Sequence, residues 1–153
     1  MKISEIMTEA AVVDSPGDSL EAAARKMWEQ QTGSLLVLDG EELLGIVTER
    51  DVLRAVATGT PLDTPVSEVM SKELITVQPA ASLREAAAIM TEKWIRHLPV
   101  IEGGRLMGIV SQRDLAGVLA GALNEPDDLE RLVESSELVR TRRLKRIEPG
   151  DLD

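Results

Sequence analysis

Two short stretches of the sequence place a hydroxyl residue and a carboxylate three residues apart, directly after a run of apolar residues. The first stretch spans residues 45–51 (Gly-Ile-Val-Thr-Glu-Arg-Asp), and the second spans residues 108–114 (Gly-Ile-Val-Ser-Gln-Arg-Asp). A carboxylate offers two acceptor oxygens, which suit the adjacent hydroxyls of a ribose. The positive end of a helix, with an Arg beside it, suits a phosphate. The pattern therefore favours the binding of a nucleotide at each stretch.

The same pattern also has a purely structural interpretation. Thr-x-x-Asp and Ser-x-x-Asp are variants of the capping box, in which two side chains satisfy free N–H groups at the start of a helix. For one isolated example, capping is the stronger interpretation. Here the stretch recurs with the same Gly-Ile-Val lead and the same Arg. This recurrence favours binding, and one hydroxyl can serve both roles.

The recurrence extends over most of the chain. A shift of 63 residues aligns residues 3–54 with residues 66–117 without a gap. The sequence therefore contains a tandem duplication, with a unit of about 60 residues. Identical pairs outside the two stretches include Ser4/Ser67, Glu5/Glu68, Pro16/Pro79, Ser19/Ser82 and Met27/Met90.

Each repeat predicts the order helix-strand-helix-strand-strand-helix, which is an α/β (α+β) fold. One such unit is small for burying a sheet, so we expect the two repeats to pack about a pseudo-twofold axis. In the first repeat (second repeat in parentheses) the predicted elements are a helical turn at 3–7 (66–70), an extended stretch at 11–13 (74–77), a helix after the N-cap Ser19 (Ser82), a hairpin with a four-residue turn at 39–42 (102–105), and a closing helix from Thr48 (Ser111). Trp94 is expected to pack in the helix–sheet core.

Composition limits the classes of function. A net charge of −10 argues against binding to nucleic acid or to an anionic membrane. The absence of Cys excludes thiolate chemistry, and a single His cannot form a metal cluster. No apolar run approaches the roughly 18 residues of a membrane span. Residues 1–5 also lack the apolar core of a signal peptide, so we expect a cytoplasmic protein. We also expect no enzyme, because the sequence shows no nucleophile–base pair and no Gly-x-x-x-x-Gly-Lys phosphate loop.

In combination these motifs resemble those of the CBS domain, named after cystathionine β-synthase. The resemblance is carried by the Ile/Val-x-x-Ile/Val-Met start, the Ser-Leu-x-x-Ala-Ala helix and the Gly-Ile-Val-Thr/Ser-x-x-Asp finish of each repeat, with Arg-His-Leu-Pro-Val at 96–100. It covers residues 3–121 and implies a pair of CBS motifs, called a Bateman module, of the stand-alone type. The predicted divisions are 1–60 for the first motif, 61–65 for a linker, 66–121 for the second motif, and 122–153 for a C-terminal helix with a basic run and an acidic tail.

The resemblance implies an adenosyl ligand, namely AMP, ADP, ATP or S-adenosylmethionine, in the cleft between the motifs, and no separate cofactor. It implies an energy-sensing regulatory module, most often a homodimer, that changes conformation or dimer packing to control an effector protein. The alternative is a ligand-free scaffold for dimerisation or interaction. The nucleotide-binding residues that it implies are Thr48, Arg50, Asp51, Ser111, Arg113, Asp114, Arg96, His97, Pro99, Val12, Val13, Ile75 and Thr76.

The repeats differ at the positions that the resemblance assigns to phosphate. Gly33 and Ser34 stand where the second repeat has Arg96 and His97, so the first repeat lacks that basic pair. Leu36 likewise replaces Pro99. The two stretches are therefore not expected to be equivalent, and at least one is expected to hold ligand.

Overall fold

The computed structural model describes residues 1–9 and 11–122. Residues Met1–Leu115 form one compact unit, which contains nearly all of both repeats. Residues Ala116–Asp153 form a second unit, of which the structure describes only the first seven, as the end of a helix. The predicted C-terminal helix, basic run and acidic tail lie outside the described residues.

The first repeat follows the predicted order of elements. It begins with a 3-10 turn, Ile3–Glu5, followed by β1 (Val13–Asp14), α1 (Leu20–Glu29), β2 (Ser34–Asp39), β3 (Glu42–Thr48) and α2 (Glu49–Thr58). Ser19 caps α1, because its hydroxyl oxygen accepts a hydrogen bond from the N–H of Ala22 at 3.1 Å. The strands form one sheet in the order β1-β2-β3, with β1 parallel and β3 antiparallel to β2.

The second repeat reproduces this order with one difference. It contains α3 (Val66–Val69), α4 (Leu83–Lys93), β4 (His97–Glu102), β5 (Arg105–Ser111) and α5 (Gln112–Ala122). The predicted extended stretch at 74–77 contributes a single parallel bridge, Val77 to Val100, instead of a full strand. Ser82 caps α4 as predicted, with its hydroxyl oxygen 3.2 Å from the N–H of Glu85.

Both hairpins turn at the predicted residues. Asp39 pairs with Glu42 and Glu102 pairs with Arg105, so each four-residue turn has two central residues between its paired ends, and the predicted turns at 39–42 and 102–105 are confirmed. Gly40 opens the first turn at φ +61°, and both central residues of the second turn are glycines with positive φ. Tight hairpins favour such conformations, because they match the twist of the flanking strands.

The core is aliphatic and divides into two clusters, one beneath each sheet. The first contains Ala23, Met27, Leu35, Val37, Val47 and Val66. The second contains Ile3, Val77, Ala86, Met90, Leu98, Val100 and Val110. Each cluster therefore includes one residue from the opening segment of the other repeat, Val66 in the first and Ile3 in the second.

The opening segments of the two repeats are exchanged, and their hydrogen bonds obey the 63-residue shift. The N–H of Ile3 donates to the carbonyl of Ala81 at 2.9 Å, and the N–H of Val66 donates to that of Asp18 at 2.8 Å. Further along, Thr8 forms a reciprocal pair of bonds with Ile109, and Ser71 forms the same pair with Ile46. The repeats thus interlock with pseudo-twofold symmetry, and neither completes its core alone.

The glycine of each Gly-Ile-Val run makes this exchange possible. A Cβ on Gly108 would lie 2.5 Å from the carbonyl oxygen of Thr8. A Cβ on Gly45 would lie 2.5 Å from Sδ of Met70 and 2.9 Å from the carbonyl oxygen of Ser71. Both distances are shorter than van der Waals contact, so these two positions require glycine for the approach of backbone.

Trp94 corrects one expectation about the core. It lies at the C-cap of α4 with φ +56° and is 42% exposed, so the predicted burial between helix and sheet was wrong. The smaller Ala86 and Met90 fill that space instead. Trp28, at the end of α1, is also exposed.

A buried ion pair distinguishes the first repeat from the second. Lys26 donates to Asp14 and, at 2.8 Å, to the carbonyl oxygen of Val13. The Asp14 side chain is 1% exposed, and its Oδ2 has no hydrogen-bond partner. The 63-residue shift places Val77 and Ile89 at these positions in the second repeat, so an ion pair replaces an apolar pair.

Within the described ranges, no helix combines the length and the apolar character that crossing a membrane requires.

Candidate functional site

Each repeated stretch ends in a turn from strand to helix, which we call a corner. The first corner, Thr48 and Asp51, joins β3 to α2. Asp51 Oδ2 accepts hydrogen bonds from the N–H of Thr48 at 2.9 Å and from its hydroxyl at 3.1 Å. Asp51 Oδ1 accepts a third bond, from Arg54 at 2.8 Å. The Asp51 residue is only 4% exposed. Here the capping role that the sequence left open is present without any ligand.

The second corner, Ser111 and Asp114, joins β5 to α5 with the same cap. Asp114 Oδ2 accepts hydrogen bonds from the N–H and the hydroxyl of Ser111, both at 2.7 Å, while the N–H of Asp114 donates back to the hydroxyl at 3.3 Å. Oδ1 of Asp114 has no hydrogen bond within the described residues. In residues 1–9 and 11–122, the only buried side-chain oxygen or nitrogen without a hydrogen-bond partner is Oδ2 of Asp14. Oδ1 of Asp114 also lacks a partner, so it is not a buried atom. Asp114 Oδ1 is therefore not sealed from solvent, in a residue of intermediate exposure.

The starts of β2 and β4 bring the two repeats together beside these corners. A Cβ on Gly33 would lie 3.3 Å from Cε1 and Nε2 of His97, and equally close to Cδ of Glu49. Arg96 reaches across to Glu49 with an N–O distance of 3.1 Å. Because Gly33 has no side chain, the imidazole of the second repeat can lie against the first.

His97 lies half-buried at the meeting point of several charges. Burial lowers the pKa of His97, and the positive charges of Arg96 and Arg113 lower it further. The carboxylates of Glu49 and Asp114 act in the opposite direction and do not reverse the shift. The imidazole is therefore neutral at pH 7, with a donor and an acceptor nitrogen. An approaching phosphate would favour its protonated form.

The remaining predicted residues surround this region in different states of exposure. Arg50 and Arg113 are exposed on the first turns of α2 and α5, where their charge is accessible. Pro99 is fully buried inside β4, and its carbonyl oxygen accepts from the N–H of Val77. Val12 and Ile75 pack partly buried against the two clusters, whereas Val13 and Thr76 are exposed.

Two residues with direct contacts to the site were missed at the level of sequence, Glu49 and Arg54. Glu49 pairs with Arg96, and Arg54 pairs with Asp51. The signal that could have found them is a difference between the repeats. The 63-residue shift places Gln112 opposite Glu49 and Gly117 opposite Arg54, so each of these charges occurs in one repeat only.

In the part of the chain that the structure describes, no three His, Asp or Glu side chains come together in a way that could hold a metal ion.

Comparison with known proteins gives a consistent result for both repeats. A family model described as "CBS domain" matches residues 3–58 and 66–121. The CBS domain-containing protein YhcV of Bacillus subtilis is 38% identical over 115 residues, which are 74% of this chain and 82% of YhcV. A putative signal-transduction protein with CBS domains from Burkholderia ambifaria superposes with a TM-score of 0.75 at 34% identity, covering 82% of this chain and 98% of that one.

The structural neighbours include a complex with adenosyl ligands. The CBS domain pair of protein MJ0100, in complex with 5′-methylthioadenosine and S-adenosyl-L-methionine, has a TM-score of 0.75 at 22% identity. The match covers 80% of this chain and 98% of that one. At this identity the similarity concerns the fold.

Proposed function

Because this chain belongs to the CBS domain family and is a CBS-pair regulatory module, we propose that it binds an adenosyl ligand at the second corner and thereby controls a partner protein. The observation that carries this proposal is the open Oδ1 of Asp114, beside the half-buried His97 and the N-terminus of α5. Binding would change the relative pose of the interlocked repeats or the packing of a homodimer. Such a change requires that the ligand bind one arrangement more tightly than the other.

The ribose would bind to Asp114. Its Oδ2 is held by Ser111, which fixes the direction in which Oδ1 points. A fixed carboxylate accepts from ribose hydroxyls without first being ordered, and each such bond to a charged group contributes about 1.5–3 kcal/mol.

The charges near this carboxylate favour a ligand that carries phosphate. Arg96 and Arg113 supply permanent positive charge, and His97 becomes a further cation on protonation. AMP, ADP and ATP fit this surrounding. S-adenosylmethionine remains a candidate, because the CBS pair of MJ0100 binds it and its carboxylate could meet the same cations.

The ligand-free scaffold remains a second candidate function, and the completed caps favour it. Both corners satisfy their own N–H groups through Asp51 and Asp114 without a ligand. Two exposed apolar residues of α2, Leu53 and Val56, suit a homodimer in either case. A scaffold of this kind would present the same surface whether or not nucleotide is present.

Thermal unfolding with AMP, ADP, ATP or S-adenosylmethionine separates the two functions. At a concentration of 100 Kd a ligand adds about 2.7 kcal/mol to the free energy of unfolding, which is roughly 5–10 °C for a chain of this size. Asp114→Ala is expected to abolish the shift. Asp63→Ala, which removes the same charge from the exposed linker, should retain it. Equal melting temperatures with and without all four compounds would leave only the scaffold.

Control of a partner needs its own measurement, because binding alone does not establish it. Small-angle scattering and light scattering, with and without the compound that shifts the melting temperature, report pose and subunit number. We expect a change in one of the two profiles. If both scattering profiles were the same with and without the compound, the chain would bind it without changing its conformation or its subunit number.

A further inference from the structure

We infer that the chain has one ligand site, at Ser111 and Asp114, and that Arg54 closes the equivalent corner of the first repeat. This inference rests on the proposed function and deepens it. It assigns the number of ligands per chain and a specificity-determining residue that touches no ligand. It follows from hydrogen bonds that the two corners do not share.

Both oxygens of the first corner's carboxylate accept hydrogen bonds within the protein. Thr48 occupies Oδ2 of Asp51 with two bonds, and Arg54 occupies Oδ1 at 2.8 Å. The guanidinium also lies 3.3 Å from the carbonyl oxygen of Val69, at the end of α3. Arg54 therefore ties the corner to the exchanged segment of the other repeat. Because the Asp51 side chain is only 6% exposed, a ribose would approach it through the position that Arg54 occupies.

The carboxylate of the second corner lacks such a partner for a reason written in the sequence. Arg54 lies three residues after Asp51, and the residue three positions after Asp114 is Gly117. Glycine supplies no side chain, so the corresponding ion pair cannot form. Oδ1 of Asp114 is left available for a donor from outside the protein.

The neighbouring strand adds a second asymmetry in the same direction. In the sheet of the second repeat, His97 pairs with Ser111 beside the open carboxylate, while the Arg96 guanidinium pairs with Glu49 of the first repeat. In the first sheet, the buried Ser34 pairs with Thr48 and brings no charge. The strand beside the open carboxylate therefore carries a titratable ring, whereas the strand beside Asp51 carries only the Ser34 hydroxyl.

Isothermal titration calorimetry of the full chain with AMP tests the inference, and with ADP, ATP and S-adenosylmethionine if AMP gives no heat. Wild type should bind one molecule per chain, and Asp51→Ala should bind one with unchanged affinity. Arg54→Ala should bind two, and Arg54→Lys, which keeps the charge, should remain at one. Gly117→Arg places an arginine three residues after Asp114 and should weaken binding at least about tenfold, the usual cost of a lost hydrogen bond to a charged group.

The outcomes distinguish the single-site inference from the proposed binding of an adenosyl ligand. Two molecules per wild-type chain, reduced to one by Asp51→Ala, would overturn the single site and leave nucleotide binding intact. One molecule per chain in Arg54→Ala would show that Arg54 does not close the first corner. No binding of any of the four compounds to wild type or to Arg54→Ala would remove both. Circular dichroism of each variant establishes that it is folded before it is titrated.

Discussion

Gly108 lies beneath the exchanged N-terminal segment, so replacing it with Ala tests the exchange directly. The added Cβ would lie 2.5 Å from the carbonyl oxygen of Thr8 and 3.1 Å from its carbonyl carbon. These are backbone atoms, which cannot rotate away, and two hydrogen bonds hold Thr8 to Ile109. Overpacking costs about 1–3 kcal/mol, and each weakened bond adds up to about 1 kcal/mol. We expect a total loss of about 2–4 kcal/mol in the free energy of unfolding.

Thermal unfolding and amide hydrogen exchange measure the two parts of this effect. At roughly 3 °C per kcal/mol for a chain of this size, Gly108→Ala should lower Tm by roughly 6–12 °C. The amides of Thr8 and Ile109 should exchange faster, since opening of the N-terminal segment exposes both.

Two further glycine variants provide matched controls. Gly17→Ala meets no atom within 4 Å and should change stability by less than about 1 kcal/mol. Gly45→Ala should cost less than Gly108→Ala, because the side chain of Met70 can move aside and only the carbonyl oxygen of Ser71, at 2.9 Å, resists. If Gly108→Ala melted within about 2 °C of wild type, or left the exchange of both amides unchanged, the N-terminal segment would not be held against β5.

Three other variants test the charges of the fold. Burial and Arg96 lower the pKa of His97, so on acidification the unfolded chain takes up a proton on this residue before the folded chain does. The free energy of unfolding should therefore fall as the pH drops through 6.5. His97→Gln should remove that part of the decline, measured by urea titrations at pH 7 and pH 5. Lys26→Met leaves the carboxylate of Asp14 buried without a cation and should cost about 2–3 kcal/mol, discounted because Lys26 is partly exposed, whereas the double variant Asp14→Val/Lys26→Ile should be close to neutral in thermal unfolding. Asp51→Ala removes the cap of α2 and should lower the free energy of unfolding, measured by urea titration, by about 1–2 kcal/mol. A smaller change than for the exposed Asp63→Ala would contradict a buried carboxylate that accepts three hydrogen bonds.

Features that depend on neighbours along the chain could be predicted well from the sequence. Ser19 and Ser82 cap their helices as expected, since a cap needs residues only three positions apart. The hairpins lie where the apolar runs place them. Their turns lie at the predicted positions, 39–42 and 102–105, with the first and last residue of each turn paired.

The environments of Trp94 and Arg54 could not be predicted from the helices in which they occur. The apolar character of Trp94 predicted burial, but the residue lies at the left-handed C-cap of α4 and is 42% exposed. Arg54 gave no signal by itself, because an exposed Arg on a helix has many possible partners. Its bond to the carbonyl oxygen of Val69 depends on where α3 packs, and α3 belongs to the other repeat.

The sequence by itself determined the duplication, the order of elements in the first repeat, the aliphatic core and the positions of both corners, because these follow from short spacings and from the 63-residue shift. Only the tertiary structure decided which sheet each opening segment covers, since Ile3 and Val66 are apolar enough to pack in either cluster. The sequence predicted that the corners differ, and the tertiary structure decided which contacts make them unequal. Arg54 binds one carboxylate, and the contact of Arg96 with Glu49 joins residues 47 positions apart that no local pattern connects.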